Sequence, residues 1–433
     1  MEKPPLFTDE EIASFRADIA SRRVPGAYEP GRWSISPLNR TGTMPASVRL
    51  RDSTLRSLET VPGSIPDEAK LHYLRRLVRA GVPEVVGAGA AKRTTAQLRS
   101  EVEAVKQENP DCRVICPLVL SPDDIDRAAE AGFDGVQVWV QGFGEAAQIY
   151  RRVHDLAWSG EDWRRTMPVQ SRAELLGTAT RLVGHARDRG LRVATPMLMV
   201  GYLTGEHLEE TVEALRDATE LTLFDGPGAL GPEAFALLIE EVRRRTTAEI
   251  GLHPHNTFGM AVACAVAAVR AGATVVEVSA NGYCGGPGNA DLAVTATAFE
   301  SLYGVSTGIH LGELTGLARA GEELTGLRLA RNHPITGEHA FDWGGMDLIT
   351  QETAVDPLLH NCLAPELVGN RRHRPVTGSS GPYTLTDRLT DLGLDVPHDR
   401  VVPLLETLKK QGGTTDADII RESRRGDHFG GPS

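Results

Sequence analysis

At 433 residues, with 41% hydrophobic and 24% charged side chains, the chain is long enough for one large domain and a smaller one, each with a buried core. A formal net charge of −12 argues against nucleic acid or an anionic membrane as a partner, because both select a basic surface. Five cysteines at irregular spacing, a start without an apolar leader core, and apolar runs well short of the roughly 18 residues of a membrane span point to a soluble cytoplasmic protein with reduced thiols.

Residues 1–45 read as an N-terminal arm. Thr8-Asp9-Glu10-Glu11 resembles a helix start, and residues 22–47 are rich in Pro, Gly, Arg and Ser without periodicity. From Ser47 the pattern becomes regular. Short β-branched runs at 48–55, 83–88, 113–118, 135–140, 192–198, 221–225, 250–253 and 274–279 alternate with amphipathic segments such as 66–80, 96–107, 122–131, 205–218 and 232–245. Gly81, Gly132, Gly190 and Gly272 stand where those helices should end in a left-handed cap. Eight βα units in about 260 residues predict an α/β fold, a (β/α)₈ TIM barrel over residues 46–304. A doubly wound open sheet would need a glycine-rich phosphate loop after the first strand, and Arg56-Ser57-Leu58-Glu59 stands there instead. Beyond Gly304 the rhythm changes to helices at 313–323, 383–393, 401–411 and 415–423, with a loop region at 331–350. This predicts a smaller, mostly helical C-terminal domain at 305–425 and a disordered tail at 426–433.

In a barrel of this kind the functional groups stand at the C-terminal ends of the strands. Arg56, Glu59 and Thr60 follow strand one, Asp225 ends strand six, His253 and His255 end strand seven, and Cys284 and Asn289 lie in the glycine loop after strand eight. Strands one, seven and eight are neighbours once the barrel closes. His253-Pro254-His255 has strand spacing, so both imidazoles can face one cation, or one can bond a backbone carbonyl instead. The loop from Asn281 to Asn289 holds four glycines, which suits close approach to a ligand or simply a tight connection; Asn289 can offer an amide oxygen to a metal. Cys284 is either exposed in that loop or inert packing. Arg56 can clamp a carboxylate or stabilise an enolate oxygen, and Asp225-Gly226-Pro227-Gly228 reads first as turn chemistry.

Asp52-Ser53-Thr54-Leu55-Arg56-Ser57-Leu58-Glu59-Thr60-Val61-Pro62-Gly63 resembles the opening D-T-T-L-R-D-G-E-Q-x-P-G of the DRE-TIM metallolyase (HMGL-like) superfamily, synthase branch. The segments 253–273 and 282–292 are similar to its H-x-H-N-D-x-G…G-N block. That family includes isopropylmalate, homocitrate and citramalate synthases, together with lyases and aldolases. The resemblance extends through Pro365-Glu366-Leu367-Val368-Gly369 and residues 380–393, and covers most of 47–425.

It implies a Claisen-type condensation of an acyl-CoA with a 2-oxo acid, a divalent cation (Mg, Mn or Zn) held by His253, His255 and Asn289, and a homodimer with crossing C-terminal regions. By this resemblance the chain reads as a divergent member. Ser57 stands for the metal-ligating aspartate, Thr257 for the aspartate after the histidine pair, and the strand-two glutamate falls near Val86. In the C-terminal part Trp343, Asp347 and Ser379 replace histidines, leaving Asp347 beside Arg56 as a catalytic candidate. Aldolase or lyase chemistry is the first alternative. A barrel that has lost carbon–carbon chemistry, for ligand binding, regulation or metal-independent work, is the second.

Overall fold

The computed structural model of the chain describes residues 44–60, 64–90, 93–140, 171–412 and 414–425, with Glu10, Ala13, Ser14 and Ala17 besides. The sequence expectations for the rest of the arm, for Val61-Pro62-Gly63 and for the tail at 426–433 lie outside the described residues.

Eight parallel strands close into a barrel: β1 (Arg49–Asp52), β2 (Glu84–Val86), β3 (Arg113–Val119), β4 (Gly135–Val138), β5 (Arg192–Leu198), β6 (Glu220–Asp225), β7 (Glu249–Pro254) and β8 (Val275–Val278). Closure is made by β1, which pairs with β2 on one side and β8 on the other. The strands are rich in valine, isoleucine and leucine and buried, as parallel strands covered by helices must be. Eight helices of the described residues follow them in turn: α1 (Asp67–Arg79), α2 (Thr95–Glu108), α3 (Pro122–Ala131), α4 (Arg172–Asp188), α5 (Gly205–Ala214), α6 (Pro232–Arg243), α7 (Ala261–Arg270) and α8 (Leu292–Ala298). Reciprocal capping boxes start three of them, at Thr94/Gln97, Ser121/Asp124 and Ser171/Glu174. Gly132 ends α3 at φ +94°, a left-handed geometry that glycine adopts without steric cost.

Two differences from the sequence expectation concern the barrel. The first strand ends at Asp52, not at residue 55, because the Asp52 carboxylate accepts bonds from the Thr54 amide (2.9 Å) and hydroxyl (2.8 Å). Those bonds turn Thr54–Ser57 into one helical turn. The barrel body also continues past residue 304. Helix α9 (Leu314–Thr325) packs on α1, where Tyr73 and Arg76 donate to the Leu317 and Gly316 carbonyls, and the compact unit ends at Leu329.

A second compact unit begins at Ala330. Its core is built by α11 (Pro382–Asp391), α12 (His398–Gln411) and α13 (Asp416–Arg425), through Leu385, Leu389, Leu405, Leu408 and Ile419. Helix α10 (Asp347–Val355) begins inside the stretch that the sequence pattern assigns to loop. Among the described residues no helix is long and apolar enough to cross a membrane.

Candidate active site and metal centre

Inside the barrel, inward-facing charges stack in levels set by strand register. Arg51 lies opposite Glu84 of β2 and Glu277 of β8. Its guanidinium is buried and bonds Glu84 and, bidentately, Glu220 of β6. Burial alone would depress the arginine's hold on its proton, but the surrounding carboxylates raise it well above its ordinary value. Glu84 also corrects a sequence expectation: β2 does carry an inward glutamate, two residues before Val86, and it is engaged by Arg51 and Arg113 (2.8 Å).

On β8 at the same register, Glu277 organises the site. One of its oxygens accepts from the Arg56 Nη2 (3.0 Å) and lies 2.9 Å from His253 Nδ1; the other accepts from Gln137 Nε2 (2.8 Å). Burial would push this carboxyl up, yet Arg56, His253 and Arg51 hold it well below the usual carboxylate range. An ionised carboxylate only accepts, so His253 carries a proton on Nδ1, and its Nε2 faces Cys284. The buried His253 ring is fixed further by stacking on Phe224, with centroids 4.0 Å apart and planes within 5°. Arg56 lies over Trp139 at 5.0 Å from the ring centroid, and Trp139 in turn donates to Gln137.

Cys284 completes the centre. Its Sγ stands 3.8 Å from His253 Nε2 and 3.6 Å from His255 Nε2, and one ligand atom from each of the three residues falls within 4.8 Å of the others. Burial would raise the thiol, but bonds from the two histidines and the Arg56 charge bring it down to about 4. Conversely, burial disfavours a charged His253, and Cys284 with Glu277 outweighs burial and raises its proton affinity. The loop carrying Cys284 is tightly folded: a Cβ on Gly288, at φ +82°, would lie 2.0 Å from the Gly282 carbonyl oxygen. Asn256 donates to the Gly288 carbonyl at 2.9 Å, tying this loop to the end of β7.

The other expected site residues are distributed as follows. Asn289 is buried and bridged to His255, but its amide oxygen accepts from the Ser279 hydroxyl and its Nδ2 has no hydrogen-bond partner. A half-turn of the amide places the oxygen at that free corner and lets Ser279 accept from Nδ2. Ser57 is buried with an unpartnered hydroxyl, and Asp225 keeps one oxygen unpartnered while the other accepts from the Leu230 amide (2.8 Å). Thr60 donates to the Ser57 carbonyl at 2.7 Å, with its methyl 3.9 Å from a Cβ built on Gly285; Glu59 lies in the same turn. Asp347 belongs to the C-terminal unit. There its carboxylate accepts from the amides of Gly381, Tyr383 and Thr384 and from the Thr384 hydroxyl, which caps α11.

This donor set fits a divalent cation. Two imidazoles and a thiol converge, a carboxylate backs one imidazole, and the buried Asn289 amide has an unmet bond beside them. Sequence reading did not find Glu277, Gln137, Trp139 or Phe224. The available signal was a polar or charged residue within an apolar strand, at a depth where closure brings several strands together.

Comparison with known proteins agrees with the fold. The family profile described as HMGL-like matches residues 47–320. A Methanopyrus kandleri protein named as an (R)-citramalate synthase is 31% identical over 388 residues, covering 87% of this chain and 72% of that protein. The homocitrate synthase of Methanothermobacter thermautotrophicus is 27% identical, covering 88% of this chain and 93% of the relative. Among solved structures, the HMG-CoA lyase of Bacillus subtilis superposes with a TM-score of 0.55 at 23% identity, over 67% of this chain and 98% of the lyase. The chain belongs to the HMGL-like family, as an enzyme of its synthase branch.

Proposed function

We propose that the barrel condenses an acyl-CoA with a 2-oxo acid in a Claisen-type reaction, as a cytoplasmic homodimer. The α-carbon of the thioester bonds to the keto carbon, and water then cleaves the thioester to release the CoA thiol and a hydroxy diacid. The observation that carries this reading is the position of Arg56. It is a buried guanidinium fixed by Glu277 and an aromatic face, within 3.5 Å of the ring of His253.

A divalent cation on His253, His255 and Asn289 would supply Lewis-acid polarisation of the keto group. Arg56 presents a fixed positive charge to a developing enolate or alkoxide oxygen, at no reorganisation cost because its partners already hold it. Glu277 and Phe224 set the His253 ring, while Asp225, Thr60 and the Cys284 loop stand at the C-terminal ends of the strands, where a substrate enters. The test is release of free CoA thiol from acyl-CoA across a panel of 2-oxo acids, with the product mass confirming addition of the acyl carbons. Thiol release that is independent of every 2-oxo acid would overturn the reading.

A further inference from the structure

We infer that Cys284 is itself a metal ligand, completing with His253 and His255 a two-histidine, one-thiolate centre that selects zinc over magnesium and manganese. This rests on the cation reading of the site given above and adds the donor and the selectivity.

The geometry comes first. In a tetrahedral zinc centre with Zn–S of ~2.3 Å and Zn–N of ~2.0–2.1 Å, a sulfur–nitrogen edge is about 3.6 Å. The edges from Cys284 Sγ are 3.6 Å to His255 and 3.8 Å to His253. The buried cysteines behave differently: the thiols of Cys112, Cys116 and Cys264 are directed at backbone carbonyls of Val82, Pro117 and Leu230. Charge is the second argument. Two neutral imidazoles leave a divalent ion uncompensated, and Ser57, buried nearby on the β1 turn, offers only a neutral hydroxyl. A thiolate supplies the missing negative charge from the neighbouring β8 loop.

Softness is the third argument. Imidazole and thiolate donors suit zinc, whereas magnesium and manganese favour carboxylate, carbonyl and water. His253, His255 and Cys284 fill three tetrahedral positions and leave the fourth to the Asn289 amide, with substrate or water joining as zinc expands to five-coordination. Asn289, paired with His255 through the backbone, keeps its Nδ2 without a hydrogen-bond partner. The thiol is also placed in advance, since its loop is clasped through Gly282, Gly288 and Asn256, and Asn281 donates to the Ala318 carbonyl at 2.8 Å.

The experiment is metal binding by the full chain, read by chelator competition and by X-ray absorption, with cobalt substitution as a second probe. The expected result is one sulfur at ~2.3 Å beside nitrogen donors, and a thiolate-to-cobalt charge-transfer band. Cys284→Ser should lose the sulfur shell and the band, and weaken zinc by more than the ~10–100-fold typical of losing an outer-shell partner. Cys284→Asp should recover manganese binding relative to zinc. Zinc bound through nitrogen and oxygen alone, or bound equally by Cys284→Ser, would overturn the thiolate ligand while leaving the cation reading intact. Absence of divalent-metal binding by the wild type, or undiminished binding by His253→Ala, would end both.

Discussion

Arg56 is nearly enclosed, 7% exposed, and its charge is matched by Glu277 at 3.0 Å. Its place on a strand-end loop suggests on sequence grounds that removing it leaves folding intact; the buried pairing revises that. Breaking a buried ion pair typically costs ~3–5 kcal/mol, and here Gln137 and His253 still bond the orphaned carboxylate, so the loss should fall at or below that range. Arg56→Ala should therefore lower the thermal midpoint and reduce turnover by ~10²–10³, the usual cost of one charge-stabilising donor. Arg56→Lys should keep most of the stability and lose turnover, because the planar fork is gone. Full turnover in the alanine variant would remove Arg56 from the chemistry. Asp52 offers a separate test away from the reacting groups. Burial raises its carboxyl to about 7 against the bonds from Thr54, so the folded state holds a proton that the unfolded chain has released above about pH 4. Between about pH 4 and 7 the folded state binds more protons at Asp52, and this group's contribution to stability falls as pH rises through that window. Asp52→Asn should flatten this slope in thermal midpoints measured across it; an unchanged slope would show that Asp52 does not titrate there. Neither property is visible in a motif. Arg56 and His253 stand out in the sequence by type and spacing, whereas Glu277 and Gln137 matter only because β8 and β4 bring them to one depth inside a closed barrel.

At the scale of elements, helix α11 begins with Gly381 and Pro382, which provide no side-chain cap of their own. Its exposed first-turn amides are satisfied from outside by Asp347, at 2.9–3.2 Å. A carboxylate at a helix N-terminus both accepts hydrogen bonds and meets the positive end of the dipole. Asp347→Ala should cost ~1–2 kcal/mol, the range for losing a capping side chain, and lower the thermal midpoint with little change in turnover. A large loss of kcat at unchanged midpoint would instead support the catalytic role that the family resemblance implies for this position. The same contrast explains what was legible along the chain. The bounds of β5 and α3 follow from the sequence because each has its own signal: a continuous apolar run in one, and Ser121, Pro122 and Gly132 as start and stop in the other. The end of β1 and the start of α10 have none. An Asp52 side chain, not a change of hydrophobic period, halts β1, and α10 starts one residue after a Gly344-Gly345 pair that reads as loop.

For the whole molecule, closure of the sheet leaves the barrel without the open strand edge through which chains often pair, so association must use side-chain surfaces. The C-terminal unit exposes such a surface. Trp343, Met346, Leu348, Leu359 and Tyr383 are all large apolar or aromatic side chains open to solvent. Trp343 donates to Asn361, next but one to Leu359, and Asp347, between Met346 and Leu348, accepts from the Tyr383 amide. Single exposed apolar residues need no explanation, but five on one small unit offer a candidate contact surface. A two-fold dimer uses the same patch on both copies, and an obligate one buries upwards of ~2,000 Å². The protein should therefore sediment as a dimer at micromolar concentration. Replacing Trp343 and Met346 together by glutamate should shift it toward the monomer while leaving the barrel's own circular dichroism intact, because neither side chain is buried in the single chain. A wild-type monomer at micromolar concentration would refute the assembly, and a dimer indifferent to the double substitution would place its interface elsewhere.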